Sequence, residues 1–254
     1  NGGELFTYMS KEKSFSEDRS RFYASEIILA LECLHGMDII YRDLKPENVL
    51  IDRSGHIRLT DFGLSKDAME TDKTYSLVGS PYYMAPEIIL KRGHGKAVDW
   101  WSLGILIYEM LFGTLPFYNE NTRLAYKQLL TSALEFPPKP QTTENAQDVL
   151  LQLLQRDPAK RLGSQVFESE KSHDGVTGIK SHPWFSGVKF EKILAMEVPP
   201  PFAPKVKGSM DTSHFSSVFT SQSMRLSGEK SQVQAQQDFE NFGYVASRDA
   251  KEAV

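Results

Sequence analysis

An α+β fold, mainly α-helical with one small β-hairpin and followed by an extended tail, is the architecture this sequence predicts. Three observations point to it. Apolar residues recur at helical spacing in several separate stretches, and strand-like residues are concentrated in one short region. After the pentapeptide SHPWF the chain turns rich in Pro, Ser and Gln and loses any core pattern. The boundary falls near residue 185, with residues 186–254 as the tail.

The elements follow in order. In SFSEDRSRFYASEIILALECLHGM, Ser16 is placed to cap a helix, with Glu17 and Asp18 in its first turn. Tyr23, Ile27, Leu31 and Leu34 form its apolar stripe, and Gly36 ends it. Further helical patterns occupy residues 100–112, 121–134 and 145–155. WWSLGILIYEMLF is too short to cross a bilayer and carries Glu109, so it reads as a helix buried on nearly all sides.

Composition narrows the classes of function. The 254 residues are 40% hydrophobic and 24% charged, with a formal net charge of −4. That balance argues against nucleic acid as the main partner, since phosphate backbones are bound by clustered Lys and Arg. The single cysteine, Cys33, leaves no internal disulfide and fits a reducing compartment, cytoplasmic or also nuclear. No signal peptide and no membrane span is evident.

The chemistry is concentrated in YRDLKPENVLIDRSGHIRLTDFG, residues 41–63. VLID and IRLT read as two strands joined by the turn Arg53, Ser54, Gly55, His56. Pairing Asp52 with Ile57 sets Val49 opposite Thr60 and Asn48 opposite Asp61. Directly opposed residues have Cα atoms roughly 4.5–5.5 Å apart. An amide oxygen and a carboxylate at that separation suit a hard divalent cation, so the register predicts a Mg²⁺ site. Asp43 and Lys45, just upstream, stand beside it as candidate base and phosphate-binding cation. A solvated loop is the plainer reading of Asp61 taken alone; the full set argues against it.

At this point the sequence resembles the eukaryotic protein kinases, with YRDLKPEN, DFG (residues 61–63) and APE (residues 85–87) in that family's order and approximate spacing. The resemblance implies a protein-kinase-like fold and ATP-dependent phosphorylation of Ser/Thr in proteins, with ATP and Mg²⁺ as cofactors. It assigns Asp43 to accept the substrate hydroxyl's proton, and Asn48 and Asp61 to hold Mg²⁺. Lys45 would neutralise charge on the transferring phosphoryl group, Leu50 would floor the adenine pocket, and Thr60 would line it.

GGELF, DWWSLG, RDPAKRLG and HPWF are similar to landmarks of the AGC group, the relatives of protein kinases A, G and C. PPFAPKVKGSMDTSHF resembles that group's active-site tether, with Phe215 approaching the nucleotide. FENFGY resembles its hydrophobic motif through Phe239, Phe242 and Tyr244. On its own, such a triplet could be an ordinary amphipathic segment.

The same resemblance puts activating phosphorylation, by an upstream kinase, on Ser76, with Arg42 and Lys66 as partners for the phosphate. Thr71, Thr74 and Ser80 lie close enough in sequence to leave Ser76 open as a plain loop serine. Ser80 would fall near the acceptor and Asp43. Glu4, Glu47 and Glu109 match three acidic positions that favour Arg upstream of the acceptor, which implies protein substrates with basic motifs. Glu4 could also reach the ribose, and each of the three could be structural. Glu87 and Arg161 read as an ion pair bracing the activation segment.

Three departures qualify the resemblance. VGSPYY stands where the group has CGTPEY, so Val78, Ser80 and Tyr82 replace Cys, Thr and Glu. Gly243 replaces the usual phosphorylatable or acidic position of the hydrophobic motif. DTSHFSS lacks the acidic residues that often follow the tether Phe. The chain starts NGGELF without an initiator Met, at the point where the resemblance would have a Gly-rich loop, a strand lysine and its partner glutamate already behind it. The expectation is therefore the large lobe (residues 1–185) and tail (186–254) of a longer kinase, with little phosphotransfer alone. The alternative is a non-catalytic kinase-derived binding module.

Overall fold

The computed structural model describes residues 2–67, 79–164, 175–208 and 211–215, all within one compact unit that spans Asn1–Ser216. Its elements run α1 (Leu5–Glu12), α2 (Glu17–Gly36), β1 (Ile39–Ile40), β2 (Val49–Ile51), β3 (Ile57–Leu59), β4 (Lys66–Asp67), α3 (Pro86–Ile89) and α4 (Ala97–Phe112). After these come α5 (Thr122–Thr131), α6 (Glu144–Leu153), α7 (Gly175–Lys180) and α8 (Phe190–Leu194). Short 3₁₀ turns sit at Pro46–Asn48 and Pro183–Phe185.

The local rules explain most of these elements. The Ser16 side chain accepts from the Arg19 amide at 3.3 Å, and α2 runs to Gly36 as the stripe predicts. Tyr23, Ile27 and Leu31 are fully buried and Leu34 packs at the core edge. Asn121 and Thr143 cap α5 and α6 through their side-chain oxygens. α1 has no capping side chain and no strong sequence signal, yet it forms because Leu5, Tyr8 and Met9 bury one face.

α4 is the axis of the core. From Val98 to Phe112 every residue but Glu109 is buried, and the helix packs against α2 and α6. Burying each such aliphatic side chain is worth roughly 1.5–3 kcal/mol, which outweighs the helix's lack of a polar face. Gly104 leaves no room for a side chain at the end of α6: a Cβ there would stand 2.9 Å from Leu154 Cδ2 and 3.0 Å from Leu153 Cβ. Beside α4, the fully buried Arg161 grips Glu87 with two nitrogens at 2.7 and 2.9 Å and also donates to the Ala97 carbonyl at 2.8 Å. The expected brace between Glu87 and Arg161 is thus an ion pair with its donors satisfied, which is what a buried charge requires.

Two expectations need correction. The β2–β3 hairpin exists, but its register is Val49↔Leu59, Leu50↔Arg58 and Ile51↔Ile57, one residue away from the sequence reading. The loop holds three residues, not four. The Asp52 amide donates to the His56 carbonyl at 2.8 Å, and Gly55 takes φ +98°. Asp52 Oδ1 enforces this by accepting from the Ser54 and His56 amides. Asn48 is therefore paired with Thr60, and Asp61 lies one residue beyond. The second correction concerns the start of the tail. Residues 190–194 are helical, with Phe190 and Ile193 buried and α8 packed against α2. The chain runs without helix or strand from Ala195 to Gly208.

Candidate active site

The site begins where β1 leaves α2. β1 pairs with β4, a contact between segments distant in sequence, and so aligns Ile40 with Lys66. The chain then turns through Tyr41 and Arg42, whose φ of +66° lies in the left-handed region. Asp99, fully buried in the first turn of α4, holds this turn. Its Oδ2 accepts from the Tyr41 amide at 2.9 Å and faces His35 Nε2 at 2.7 Å, and its Oδ1 accepts from the Arg42 amide at 2.8 Å. Backbone strain of this kind persists only where the surroundings fix it. Asp99 was not among the sequence-derived candidates. An aspartate immediately before the most apolar stretch of the chain is the signal that would have found it.

Asp43 follows, 4% exposed. Its Oδ2 accepts from Lys45 Nζ at 2.8 Å and from Asn48 Nδ2 at 2.8 Å. Its Oδ1 accepts from Ser80 Oγ at 3.1 Å. Asn48 Nδ2 also donates to the Asp43 carbonyl at 2.9 Å, which commits the amide nitrogen and leaves the side-chain oxygen for another partner. Asp43, Lys45, Asn48 and Ser80 are thus brought together as expected.

Asp61 is joined to this corner through its neighbour. Thr60 donates to the Asn48 carbonyl twice, from its amide at 3.0 Å and its hydroxyl at 3.1 Å. Tyr41 reaches across and donates its hydroxyl to the Thr60 carbonyl. Burial and then the charges of Asp43, Asp61 and Asp99 push the Tyr41 hydroxyl well above its ordinary pKa, so it stays protonated as a donor. Asp61 itself is exposed, takes φ +55°, and accepts from the Gly63 amide at 3.2 Å. Asn48 and Asp61 offer oxygen only, and no group of three His, Cys, Asp or Glu among the described residues forms a closed metal cage. That donor set fits Mg²⁺, which keeps water and phosphate oxygens as ligands and takes few from protein.

The three acidic candidates share one electrostatic neighbourhood. Glu4 forms an isolated β-bridge with Leu50, and burial and then the charge of Glu47 raise its pKa. Glu47 is exposed on the 3₁₀ turn. Glu109 accepts from the Tyr83 hydroxyl; burial raises its pKa most, and the charge of Glu47 adds to that. Glu109 therefore has a partner within the chain as well as a place in the acidic cluster.

Arg42 Nε donates to the Leu64 carbonyl at 2.7 Å, and Lys66 lies on β4. Close by, His94 is buried at 3% exposure, and its Nε2 has no hydrogen-bond partner among the described residues. Burial first, and then the charge of Arg42, hold its pKa down at about 4. His94 was also missed by the sequence reading, because a lone histidine carries no spacing signal. Phe215 is half-buried, its amide donating to the Thr212 carbonyl at 3.0 Å, while neighbouring His214 contacts the Tyr8 hydroxyl at 3.2 Å. Ser76, Val78, Thr71, Thr74 and the motif residues Phe239, Phe242, Gly243 and Tyr244 lie outside the described residues.

The family defined by the protein kinase domain matches residues 1–185. The chain is 47% identical over 251 residues to a RAC family serine/threonine-protein kinase homolog of Dictyostelium discoideum, covering 97% of this chain and 54% of that protein. It is 48% identical over 223 residues to the serine/threonine-protein kinase gad8 of Schizosaccharomyces pombe, covering 87% of this chain and 37% of that protein. To the ribosomal protein S6 kinase alpha-2 of Mus musculus it is 44% identical over 97% of this chain and 33% of that protein. The chain spans about half the length, or less, of these curated relatives.

Proposed function

This chain belongs to the eukaryotic protein kinases, in the AGC group of serine/threonine enzymes, and from that premise we propose that it supplies the peptide-binding and proton-accepting half of an ATP- and Mg²⁺-dependent protein kinase. The observation that carries the reading is the Asp43 corner. A buried carboxylate there receives a serine hydroxyl on one oxygen and an ammonium on the other.

In this reading an acceptor hydroxyl takes the place that Ser80 Oγ marks, within hydrogen-bond distance of Asp43 Oδ1. Asp43 orients that hydroxyl and accepts its proton as the hydroxyl oxygen bonds to the γ-phosphorus of ATP and the bond from that phosphorus to the bridging oxygen breaks, ADP being the leaving group. Lys45 Nζ, 2.8 Å from the same carboxylate, places positive charge beside the transferring group. Asn48 and Asp61 would hold Mg²⁺, which when bound with ATP neutralises phosphate charge. Leu50, Thr60 and Phe215 are assigned to the nucleotide side, and Glu4 and Glu47 could serve nucleotide and peptide alike. Residues 1–185 form the larger lobe in this assignment and 186–254 the tail.

Glu4, Glu47 and Glu109 support a preference for basic residues upstream of the acceptor, and the formal charge of −4 supports protein over nucleic acid as substrate. Arg42 and Lys66 are proposed to receive a phosphate placed on Ser76 by another kinase. A cytoplasmic or nuclear location is proposed on the single cysteine alone.

The test is phosphate transfer from labelled ATP by the protein that contains this chain. A serine peptide with upstream arginines should be phosphorylated about tenfold or more faster than its glutamate counterpart, and chelating Mg²⁺ should abolish both rates. Equal rates on the two peptides, or transfer that survives chelation, would contradict the reading.

A further inference from the structure

Two tyrosines near Ser80, half-buried Tyr82 and exposed Tyr118, have no role in the reading above. Tyr82 follows Ser80 by two residues, and Ser80 Oγ touches Asp43. Its neighbour Tyr83 is buried and tied to Glu109. Tyr82 itself points elsewhere: its hydroxyl donates to the Asn119 carbonyl at 3.1 Å, and its ring lies 5.5 Å from that of Tyr118 at an angle of 39°. Tyr118 is 55% exposed. Tyr126 is close enough that Tyr82 contributes to raising its pKa, second to burial. A tilted aromatic pair, oriented by a hydrogen bond to backbone, therefore flanks the place assigned to the peptide.

The surroundings say what such a pair would hold. Glu47 is exposed, and its charge is felt at Glu4, Glu109 and Tyr83, the residue next to Tyr82. Among the described residues no ion pair engages Glu4, Glu47 or Glu109. The chain stacks guanidinium groups on its own rings elsewhere: Arg19 on Phe15 at 3.9 Å and on Phe202 at 4.7 Å, and Arg156 on Phe117 at 5.5 Å, one residue before Tyr118. Among the described residues no such cation lies over Tyr82 or Tyr118. An exposed ring face such as that of Tyr118, in a negative field, attracts a planar, weakly hydrated cation better than an ammonium or an apolar group.

We propose that Tyr82 and Tyr118 form an arginine-selective subsite for the peptide substrate, in which the guanidinium stacks on the aromatic pair while the nearby glutamates supply the field. The proposal rests on the assignment of the Asp43 corner as the place of the acceptor. It makes Tyr82 and Tyr118 specificity residues with no part in the transfer itself.

The test measures affinity, so that it stands apart from turnover. Fluorescently labelled serine peptides carrying one arginine, moved position by position from the acceptor, are titrated against the protein by anisotropy, each beside its norleucine and lysine counterparts. One position should favour arginine over norleucine, and over lysine by less. Tyr118→Leu and Tyr82→Leu should reduce the arginine-to-norleucine affinity ratio there by about three- to thirtyfold. Tyr118→Phe should keep the ratio, because it retains the ring face. Ratios unmoved by the leucine variants at every position would overturn the proposal, as would equal losses in the leucine and phenylalanine variants of Tyr118. The same peptides given ATP and Mg²⁺ report separately on phosphate transfer. Its absence would count against the kinase reading while the affinity ratios still decide the subsite.

Discussion

Two buried aspartates stand near each other in this molecule and are held in opposite ways. Asp99 spends its oxygens on the backbone amides of Tyr41 and Arg42 and on His35. Asp43, two residues past Tyr41, is met among the described residues by the side chains of Lys45, Asn48 and Ser80 alone. Backbone partners cannot leave without the fold changing, whereas side-chain partners can swing away or be replaced by a substrate. The difference separates a carboxylate that fixes geometry from one that is free to take part in chemistry. The same distinction explains why the chain tolerates the left-handed backbone of Arg42 between them.

Breaking the Asp99 side of the pair should cost most. Asp99→Ala leaves two amides inside the core without an acceptor, and the expected loss is about 3–5 kcal/mol of stability. Chemical denaturation measures it. A loss under about 1 kcal/mol would mean that the turn is held by something else.

The next effect sharpens the comparison by titrating a neighbour that both Asp99 and Arg42 influence. His94 is neutral in the folded protein, with its pKa held down at about 4. The unfolded chain takes up the proton first as pH falls below the usual histidine value of about 6.5. Stability from the neutral His94 is therefore present above that pH and is lost as pH falls toward about 4. Between pH 7.5 and 5 the wild type should lose about 2 kcal/mol more than His94→Gln, measured by denaturation at both pH values. Identical pH profiles would show that His94 is not held neutral.

The smallest effect probes the exchangeable side. Ser80→Ala removes one hydroxyl from Asp43 and should cost no more than about 1 kcal/mol, a shift of a few degrees in Tm. A larger loss would place Asp43 among the structural carboxylates after all.

Sequence made one aspartate legible and hid the other. Asp43, Lys45, Asn48 and Asp61 share one short stretch, so local reading finds them. Asp99 and His94 act through contacts with segments far away along the chain, and neither leaves a periodic trace. The same divide runs through the fold. The Ser16 cap and the Tyr23, Ile27, Leu31 stripe determine α2 locally, and α2 is where expected. The β1–β4 pairing joins Ile40 to Lys66 and cannot be read from either segment alone.

The hairpin shows a finer limit. Its strands were legible, but its register hung on whether three or four residues form the loop. Asp52 and a left-handed Gly55 settle that by hydrogen bonding. α8 escaped notice because five residues give too short a pattern, although Phe190 and Ile193 bury well.

The most direct measurement is the turnover of Asp43→Asn beside its melting temperature. The substitution keeps the size of the side chain but removes its capacity to accept a proton. Phosphate transfer to a serine peptide should fall by about 10²–10⁴-fold while Tm stays within a few degrees of the wild type. Turnover retained within about threefold, or lost only together with folding, would contradict the division of labour between Asp43 and Asp99.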